Sequence, residues 1–285
     1  MSHRLPAAPW LMWVTDGRLA GGSGGGVFAD ALAEAAGAGL DAVQVRARDL
    51  PAGASLELVR TAVSAAGGRA LVLVNDRADI AMAARADGVH LPAAGLPPAA
   101  CRQLLRPGML LGRSIHPPEA EPRGDDRGVD YLVFGTVYAT ASKPGIVPAG
   151  VEALTAACRA TALPVLAIGG VTAANAADCV AAGAAGCAVQ SAIGSAAKVS
   201  VAVAELKAAL RSGWERRAAT ACTLNGRPYR LDGSLLLPEL LARLGADPRS
   251  VAVELNGNIV DRRAYALTAV RPGDRLEVVR ALGGG

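Results

Sequence analysis

The sequence predicts an α/β protein with a (β/α)8 TIM barrel followed by a small α+β domain. Over residues 1–210, eight short apolar runs alternate with alanine-rich stretches that favour helix, which is the order of elements in such a barrel. The runs are apolar at almost every position, as expected for parallel strands buried on both faces. After residue 220 the pattern changes to two Asn-Gly hairpin signals around one helix. A chain of 285 residues is long enough for both domains.

Eight strands are predicted for the barrel, each ending where a loop or a helix-favouring stretch begins. They cover residues 10–14, 42–45, 71–74, 88–90, 109–111, 131–134, 165–168 and 186–189. An open doubly wound sheet is the weaker alternative, because it would use about five or six strands. The barrel domain is therefore assigned to residues 1–210.

The C-terminal part of the chain is predicted to form a linker at 211–220 and a second domain at 221–285. The linker segment is polar and charged. Each hairpin signal places Asn-Gly between residues that favour strands, at Asn225 and at Asn256. Between the two signals, residues 235–244 are expected to form one helix, and a final strand runs into three glycines. This order of elements predicts a small α+β unit.

Composition and charge exclude several classes of function. Apolar residues make up 52% of the chain, which is enough for a buried core and argues against disorder. Aromatic residues reach only 3%, too few for the stacking platforms of single-strand nucleic-acid binding. The net charge of +4 is spread without a block of like charges, and no apolar run reaches the ~18 residues of a membrane span. We therefore expect no nucleic-acid partner and no membrane partner.

The cysteine pattern and the first residues predict a cytoplasmic location. The five cysteines are scattered, odd in number and never spaced as Cys-x-x-Cys, which argues against a zinc site or a disulfide framework. Residues 1–9 lack the basic start and the continuous apolar segment of a signal peptide. Reduced thiols in a cytoplasmic protein are the expectation.

Polar and basic residues follow nearly every predicted strand. Because the C-terminal ends of all barrel strands meet on one face, these side chains are expected to line one pocket there. The turns Gly169-Gly170 and Gln190-Ser191, after the seventh and eighth strands, are expected to cradle a phosphate, and a helix is expected to begin near Thr172. The candidate substrate- and phosphate-binding residues are Gln44, Arg46, Arg48, Asn75, Ser114, Thr140, Ser142, Lys143, Gly170, Gln190 and Ser191.

Seven segments spread over about residues 10–210 share one known pattern. They are Val43-Gln-Val-Arg-Ala-Arg, Leu73-Val-Asn-Asp-Arg-Ala-Asp-Ile-Ala, Ala86-Asp-Gly-Val-His-Leu, Gly112-Arg-Ser-Ile-His, Asp130-Tyr-Leu-Val-Phe-Gly-Thr-Val-Tyr, Thr140-Ala-Ser-Lys-Pro-Gly and Ala167-Ile-Gly-Gly-Val-Thr. In order and spacing they resemble the thiamine phosphate synthase/TenI superfamily. That superfamily holds two enzymes, a synthase and a tautomerase.

The resemblance implies a magnesium site if the barrel is the synthase. Thiamine phosphate synthase joins a pyrimidine diphosphate to a thiazole phosphate and releases pyrophosphate, which calls for Mg²⁺ held by carboxylates. One such carboxylate falls on Asp76. The second should follow the Gly-Val-His-Leu strand, where this chain has Pro92-Ala-Ala-Gly and no acid. In a synthase, Ser114, Asn75 and Lys143 would contact the pyrimidine diphosphate.

The resemblance to the TenI-type thiazole tautomerase is closer at several positions. That enzyme aromatises a thiazole carboxylate phosphate by moving a ring proton, without a cofactor. Its acid/base histidine falls on His116, and an imidazole with an ordinary pKa of about 6.5 suits this step. Arg48 stands where synthases usually carry lysine. The tautomerase is therefore the expected activity, the Mg²⁺-dependent synthase is the alternative, and a non-catalytic ligand-sensing scaffold is the third interpretation.

Residues 221–285 resemble the sulfur carrier ThiS, a ubiquitin-like β-grasp protein, in Val253-Glu-Leu-Asn-Gly-Asn-Ile-Val, Arg271-Pro-Gly-Asp-Arg-Leu-Glu-Val-Val-Arg and the terminal glycines. The resemblance implies that the tail ending in Gly284 and Gly285 is adenylated by a ThiF-like enzyme, converted to a thiocarboxylate and used by thiazole synthase. Consecutive glycines give the narrow tail that a partner's active site requires. A thiazole phosphate is the substrate expected for the barrel, and a homodimer stays open.

Overall fold

The computed structural model describes residues 5–16, 24–116, 128–231 and 234–280. The chain divides into two compact units, Met1–Gly213 and Trp214–Gly285. In the first unit, eight parallel strands close into a barrel in the order of the sequence, which confirms the predicted fold class.

Each predicted strand of the barrel is present. The strands are β1 Trp10–Val14, β2 Ala42–Val45, β3 Leu71–Asn75, β4 Gly88–Leu91, β5 Leu110–Ile115, β6 Tyr131–Gly135, β7 Val165–Ile168 and β8 Gly186–Val189. The helices are α1 Gly24–Gly37, α2 Ala52–Ala66, α3 Ala78–Ala83, α4 Pro98–Leu104, α5 Gly150–Ala160, α6 Ala176–Ala181, α7 Ser191–Gly194 and α8 Val199–Ala219. Within the described residues, no helix is both long enough and apolar enough to cross a membrane.

Strand β5 extends beyond the apolar run that predicted it. It covers Leu110–Ile115, whereas the sequence indicated residues 109–111, because the polar pair Arg113 and Ser114 concealed its second half. Alternate residues of a barrel strand face the interior, so a polar side chain can continue a strand where the interior is a pocket. Ser114 therefore lies inside a strand rather than after one.

Helix α6 begins later than the sequence indicated. It starts at Ala176, whereas residues near Thr172 were expected to begin it. A turn over residues 173–175 comes first, and the Asn175 side chain accepts the backbone N–H of Thr172 at 2.8 Å. This asparagine contact supplies the turn geometry that delays the helix.

Three aspartates fix the register at the N-terminal face of the barrel by one repeated contact. Asp41, Asp87 and Asp130 stand directly before β2, β4 and β6. Each carboxylate accepts a backbone N–H of the preceding strand at 2.6–2.7 Å. The donors are Leu11, Val72 and Leu111. A hydrogen bond from a backbone N–H to a carboxylate is stronger than one between neutral groups, so each aspartate holds a pair of strands together.

The second unit has the strand and helix order expected of a β-grasp domain. Its elements are β9 Ala221–Leu224, β10 Arg227–Arg230, β11 Leu235–Leu236, α9 Leu237–Arg243, β12 Val251–Leu255, β13 Asn258–Ile259, a 3₁₀ helix Arg262–Leu267, β14 Ala269–Val270 and β15 Arg275–Arg280. The main sheet has the order β10-β9-β15-β12-β13. Both Asn-Gly hairpins are confirmed, and all four turn residues have positive φ.

Two elements of the C-terminal part differ from the sequence expectations. Residues 235–236 form β11 and pair with β14. The helix expected at 235–244 is therefore shorter: it is α9, which begins at Leu237 because Pro238 favours the first turn of a helix. Helix α8 continues to Ala219 through the segment expected as a linker. That segment contains alanine, arginine and glutamate and no proline, so it favours helix despite its charge.

Replacing Asp41 by alanine should lower the free energy of unfolding of the barrel by about 1–3 kcal/mol. The Leu11 N–H would lose its acceptor, and Lys207 Nζ, 2.6 Å from the carboxylate, would lose its charged partner. Urea unfolding followed by tryptophan fluorescence measures the loss, because Trp10 and Trp13 lie in β1. Asp30→Ala, on the exposed side of α1, is the control and should change stability by less than about 0.5 kcal/mol. Equal losses in the two variants would contradict the role of Asp41.

Candidate active site

A cavity of about 220 Å³ opens at the C-terminal ends of the barrel strands. Every candidate substrate- and phosphate-binding residue from the sequence lines it, and so does His116. These lining residues are Gln44, Arg46, Arg48, Asn75, Ser114, His116, Thr140, Ser142, Lys143, Gly170, Gln190 and Ser191. The structure thus brings together residues from six of the eight strand ends, while the role of each remains a prediction.

Three predicted residues are not part of this cavity. Asp76 is exposed and absent from the cavity lining, although it directly follows Asn75. Gly284 and Gly285 lie outside the described residues.

Sequence reasoning missed two buried polar residues of the cavity, His90 and Thr136. His90 is 2% exposed and Thr136 is 7% exposed, and both contribute to the lining. The signal for His90 was its position in β4 between Val89 and Leu91, because alternate residues of a strand face opposite sides. Its two apolar neighbours suggested simple packing, which concealed an imidazole facing the pocket.

Two buried amides form one wall of the cavity. Gln44 at the end of β2 donates from Nε2 to Asn75 Oδ1 at the end of β3, at 3.0 Å. Both side chains are almost fully buried, so the hydrogen bond fixes the Asn75 amide before any ligand binds. A fixed amide can orient a polar heterocycle by hydrogen bonds.

A neutral histidine links three neighbouring strands beneath the cavity. His90 Nε2 lies 2.9 Å from Ser114 Oγ, and His90 Nδ1 lies 3.1 Å from the Tyr131 hydroxyl. Burial lowers the pKa of His90 to about 3, so the imidazole is uncharged at neutral pH. The neutral imidazole of His90 therefore fixes the position of the Ser114 hydroxyl by a hydrogen bond.

Three cationic side chains converge at the cavity mouth. Arg46 is half-buried, and its burial together with the charge of Arg48 lowers its pKa. Partial desolvation at the cavity and the charges of Arg46 and Arg48 also lower the pKa of Lys143, although its side chain is exposed. Among the residues that the structure describes, no aspartate or glutamate belongs to the lining. A ligand with several negative charges would relieve this repulsion.

The Gly169-Gly170 turn is packed against the loop that carries Lys143. Both glycines have positive φ, and a Cβ at Gly170 would overlap the carbonyl oxygen of Ala139. The Gly169 carbonyl accepts the N–H of Tyr138 at 2.9 Å. These contacts explain why the turn needs glycine.

A side-chain hydrogen bond joins the same loop to the turn after β8. Ser142 Oγ donates to Gln190 Oε1 at 3.2 Å. The turn leads into α7, a single helical turn that begins at Ser191. The loop after β6 therefore contacts both turns that the sequence predicted as a phosphate cradle.

His116 directly follows β5 and has one nitrogen engaged by the backbone. Its Nδ1 donates to the Gly135 carbonyl oxygen, which can only accept. In the neutral ring the proton is therefore on Nδ1, and Nε2 carries a lone pair. The geometry makes Nε2 the nitrogen that can accept a proton.

The described residues contain no large cluster of metal-ligating side chains. No group of three His, Cys, Asp or Glu among them could hold a metal. Asp79, the next acid after Asp76, forms an ion pair with Arg77 at 2.6 Å. The residues present at this mouth favour anions over cations.

A (β/α)8 barrel with a Gly-Gly turn after β7, a second turn after β8 and cations at its C-terminal face is typical of enzymes for small phosphorylated molecules. Residues 11–193 match the family model described as thiamine monophosphate synthase, and residues 222–285 match the ThiS family. The chain therefore belongs to the thiamine monophosphate synthase family, with a ThiS domain at its C-terminal end.

Similar proteins include two bacterial relatives and one solved structure. The thiamine-phosphate synthase of Anaeromyxobacter dehalogenans is 44% identical over 198 residues, which cover 69% of this chain and 89% of the relative. A putative thiamine-phosphate synthase of Geobacter sulfurreducens is 43% identical over 178 residues, covering 60% of this chain and 80% of the relative. The structure of a thiamine phosphate pyrophosphorylase from Pyrococcus furiosus has a TM-score of 0.62 and 30% identity, and covers 72% of this chain and 96% of that chain.

Binding of inorganic pyrophosphate should weaken as the pH rises through the lowered pKa of Lys143, because the ammonium loses its proton below the usual lysine range. In Arg48→Gln, one repelling charge is gone, so the midpoint should move to higher pH. Isothermal titration calorimetry from about pH 7 to pH 10 measures both midpoints.

Lys143→Arg is the matched control for this pH dependence. A guanidinium stays charged over the whole range, so the midpoint should disappear while binding at neutral pH is retained. The same midpoint in Lys143→Arg and in the unaltered protein would assign the titration to another group.

Proposed function

We propose that the barrel is a thiamine phosphate synthase, which joins a pyrimidine diphosphate to a thiazole phosphate and releases pyrophosphate. This activity was the alternative of the sequence analysis, and it now takes precedence over the tautomerase. Relatives named thiamine-phosphate synthase share 44% and 42% identity with this chain. The structural observation that carries the proposal is that three cations and two turns, each of which suits an anion, line one cavity.

The two regions suit the two substrates of a synthase. Arg46, Arg48 and Lys143 repel one another, so this region suits a diphosphate with several charges. The turns at Gly169-Gly170 and Gln190-Ser191 offer backbone N–H groups, which suit a single phosphate. In the proposed synthase, the diphosphate and the monophosphate would each occupy one of these two regions.

The position of the cations supports a reaction in which pyrophosphate leaves. The bond between the pyrimidine-bearing carbon and the diphosphate oxygen breaks, and a bond forms between that carbon and the thiazole nitrogen. The leaving pyrophosphate takes the electron pair, so negative charge grows next to Arg46, Arg48 and Lys143. Cations that are in place beforehand stabilise this transition state more than the ground state.

Among the described residues, the cavity lining contains no carboxylate that could hold the expected magnesium ion. The steps assigned to this chain are therefore limited to binding and orientation. Asn75 and Ser114 can orient the pyrimidine, and the three cations stabilise the leaving group.

The tautomerase remains the second candidate because of one observation. His116 lines the cavity and its Nε2 is free to accept a proton while Nδ1 donates to Gly135. A thiazole phosphate bound in the phosphate cradle could exchange a ring proton with this nitrogen. The mouth contains three cations, however, and a single phosphate with one carboxylate needs fewer.

The full chain, supplied with pyrimidine diphosphate, thiazole phosphate and Mg²⁺, should form thiamine phosphate and pyrophosphate in equal amounts. Lys143→Ala should lower kcat/KM by about tenfold or more, because the leaving group loses one stabilising charge. Product chromatography and a pyrophosphate assay measure both products.

The same preparation, given the thiazole carboxylate phosphate tautomer, separates the other interpretations. Conversion of the tautomer that His116→Gln abolishes, without any thiamine phosphate, would replace the synthase by the tautomerase. Absence of both reactions would favour the ligand-sensing scaffold.

For the second unit we propose the role of a sulfur carrier. The ThiS family match covers residues 222–285 and includes Gly284 and Gly285. The proposed partners are a ThiF-like adenylating enzyme, which activates the carboxylate of Gly285, and thiazole synthase, which takes sulfur from the thiocarboxylate. Both partners act in the supply of the thiazole that the barrel would use.

Incubation with a ThiF-like enzyme, ATP and a sulfur donor should increase the intact mass by the difference between sulfur and oxygen. Gly284→Val should prevent the increase, because a branched side chain obstructs the tail in the partner's active site. Thiamine phosphate formation by the barrel of this variant is the control and should not change. A full mass gain in Gly284→Val would contradict the proposed use of the tail.

A further inference from the structure

Three residues stand in register on three consecutive strands beneath Ser114. His90 of β4 is paired with Gly112 of β5, and Gly112 is paired with Tyr131 of β6. A Cβ at Gly112 would overlap the Tyr131 ring, so the absence of a side chain lets this ring cross β5. The Tyr131 hydroxyl thereby reaches His90 Nδ1 at 3.1 Å.

The direction of the hydrogen bonds follows from the inventory of donors. Tyr131 is fully buried, and burial raises the pKa of its hydroxyl, so the phenol keeps its proton. Among the described residues, His90 Nδ1 is the partner of that hydroxyl. A buried O–H without an acceptor is unfavourable, so the proton points to Nδ1.

The position of the proton on the His90 imidazole follows from this direction. A neutral imidazole carries one N–H, and with Nδ1 accepting from Tyr131 this N–H is at Nε2. Nε2 donates to Ser114 Oγ at 2.9 Å. The Ser114 hydroxyl proton is therefore left for the cavity, which Ser114 lines.

We propose that Tyr131 and His90 are positioning residues that make Ser114 a hydrogen-bond donor to the ligand. The ligand atom next to Ser114 is then an acceptor, either a diphosphate oxygen or an unprotonated nitrogen of the pyrimidine ring. In the opposite tautomer, Ser114 would donate its proton to His90. Ser114 Oγ would then accept a hydrogen bond from a donor on the ligand, such as an amino group. Naming the acceptor rests on the proposed function, whereas the direction of the network does not.

The tautomer can be observed without any ligand or turnover. The chain has three histidines, so a long-range ¹H–¹⁵N spectrum of the ¹⁵N-histidine-labelled full chain can be assigned with His3→Gln and His116→Gln. His90 should show the Nε2–H tautomer. An Nδ1–H tautomer at His90 would overturn the proposal.

Tyr131→Phe removes the hydroxyl and keeps the ring that crosses Gly112. The single Nε2–H signal of His90 should be lost or become a mixture of tautomers. Tyr265→Phe is the matched control, because it removes another buried hydroxyl, which donates to Val251 O at 3.3 Å in the second unit. The control should leave the His90 signal unchanged. An unchanged His90 signal in Tyr131→Phe would contradict the proposed role of Tyr131.

Ligand binding identifies the acceptor. The probes are inorganic pyrophosphate and the unphosphorylated pyrimidine alcohol, titrated calorimetrically into the full chain and into Tyr131→Phe. Binding of one probe should weaken by about three- to tenfold, the loss of one oriented hydrogen bond. Weaker pyrophosphate binding assigns the acceptor to the diphosphate, and weaker binding of the alcohol assigns it to the ring. Unchanged affinity for both probes would overturn the proposal, whereas an inactive synthase with the expected tautomer would refute only the proposed function.

Discussion

The register in which the eight parallel strands pair to close the barrel is the constraint on which the rest of the structure depends. Asp41, Asp87 and Asp130 hold three pairs of neighbouring strands by bonds from carboxylate to backbone N–H at the N-terminal face. Because side chains alternate between the two faces of a strand, a slip of one residue would turn Asn75 and His90 from the interior towards the helices. The register therefore determines which side chains meet at the opposite face, where the cavity lies.

The cavity mouth brings like charges close to a turn that requires glycine. Burial, together with the neighbouring positive charges, lowers the pKa of Arg46 and of Lys143, and Gly169 and Gly170 adopt positive φ against the loop after β6. Such local conflicts are tolerated where the surrounding structure is well determined and where a ligand relieves them. A bound polyanion would relieve the charge repulsion here.

The sequence was sufficient for the strand positions and for the composition of the cavity, because apolar runs ended by polar residues mark parallel strands and their ends. It was insufficient where a polar residue belongs to an element. The second half of β5, which includes Ser114, and the charged residues 211–219 of α8 were both missed for this reason. His90 was missed as a cavity residue because its partners, Tyr131 and Ser114, come from strands distant in sequence. Side-chain networks of this kind depend on register, which no local pattern specifies.

The loop after β4 changes the charge balance of the site. Where the synthase pattern has its acids, this chain has Ala94 and Gly95, directly after Pro92 and Ala93, which line the cavity. Losing an acid removes a ligand for a metal ion, and it also removes a negative charge that would compete with a diphosphate for the cations. Arg48 in place of lysine adds a planar group that can bind two oxygens of one phosphate. For a bound diphosphate, both changes mean that the protein's own cations, rather than a metal ion, would neutralise more of its charge. In the proposed synthase, net charge at the mouth, and not Asp76 alone, would therefore contribute to the stabilisation of a leaving pyrophosphate.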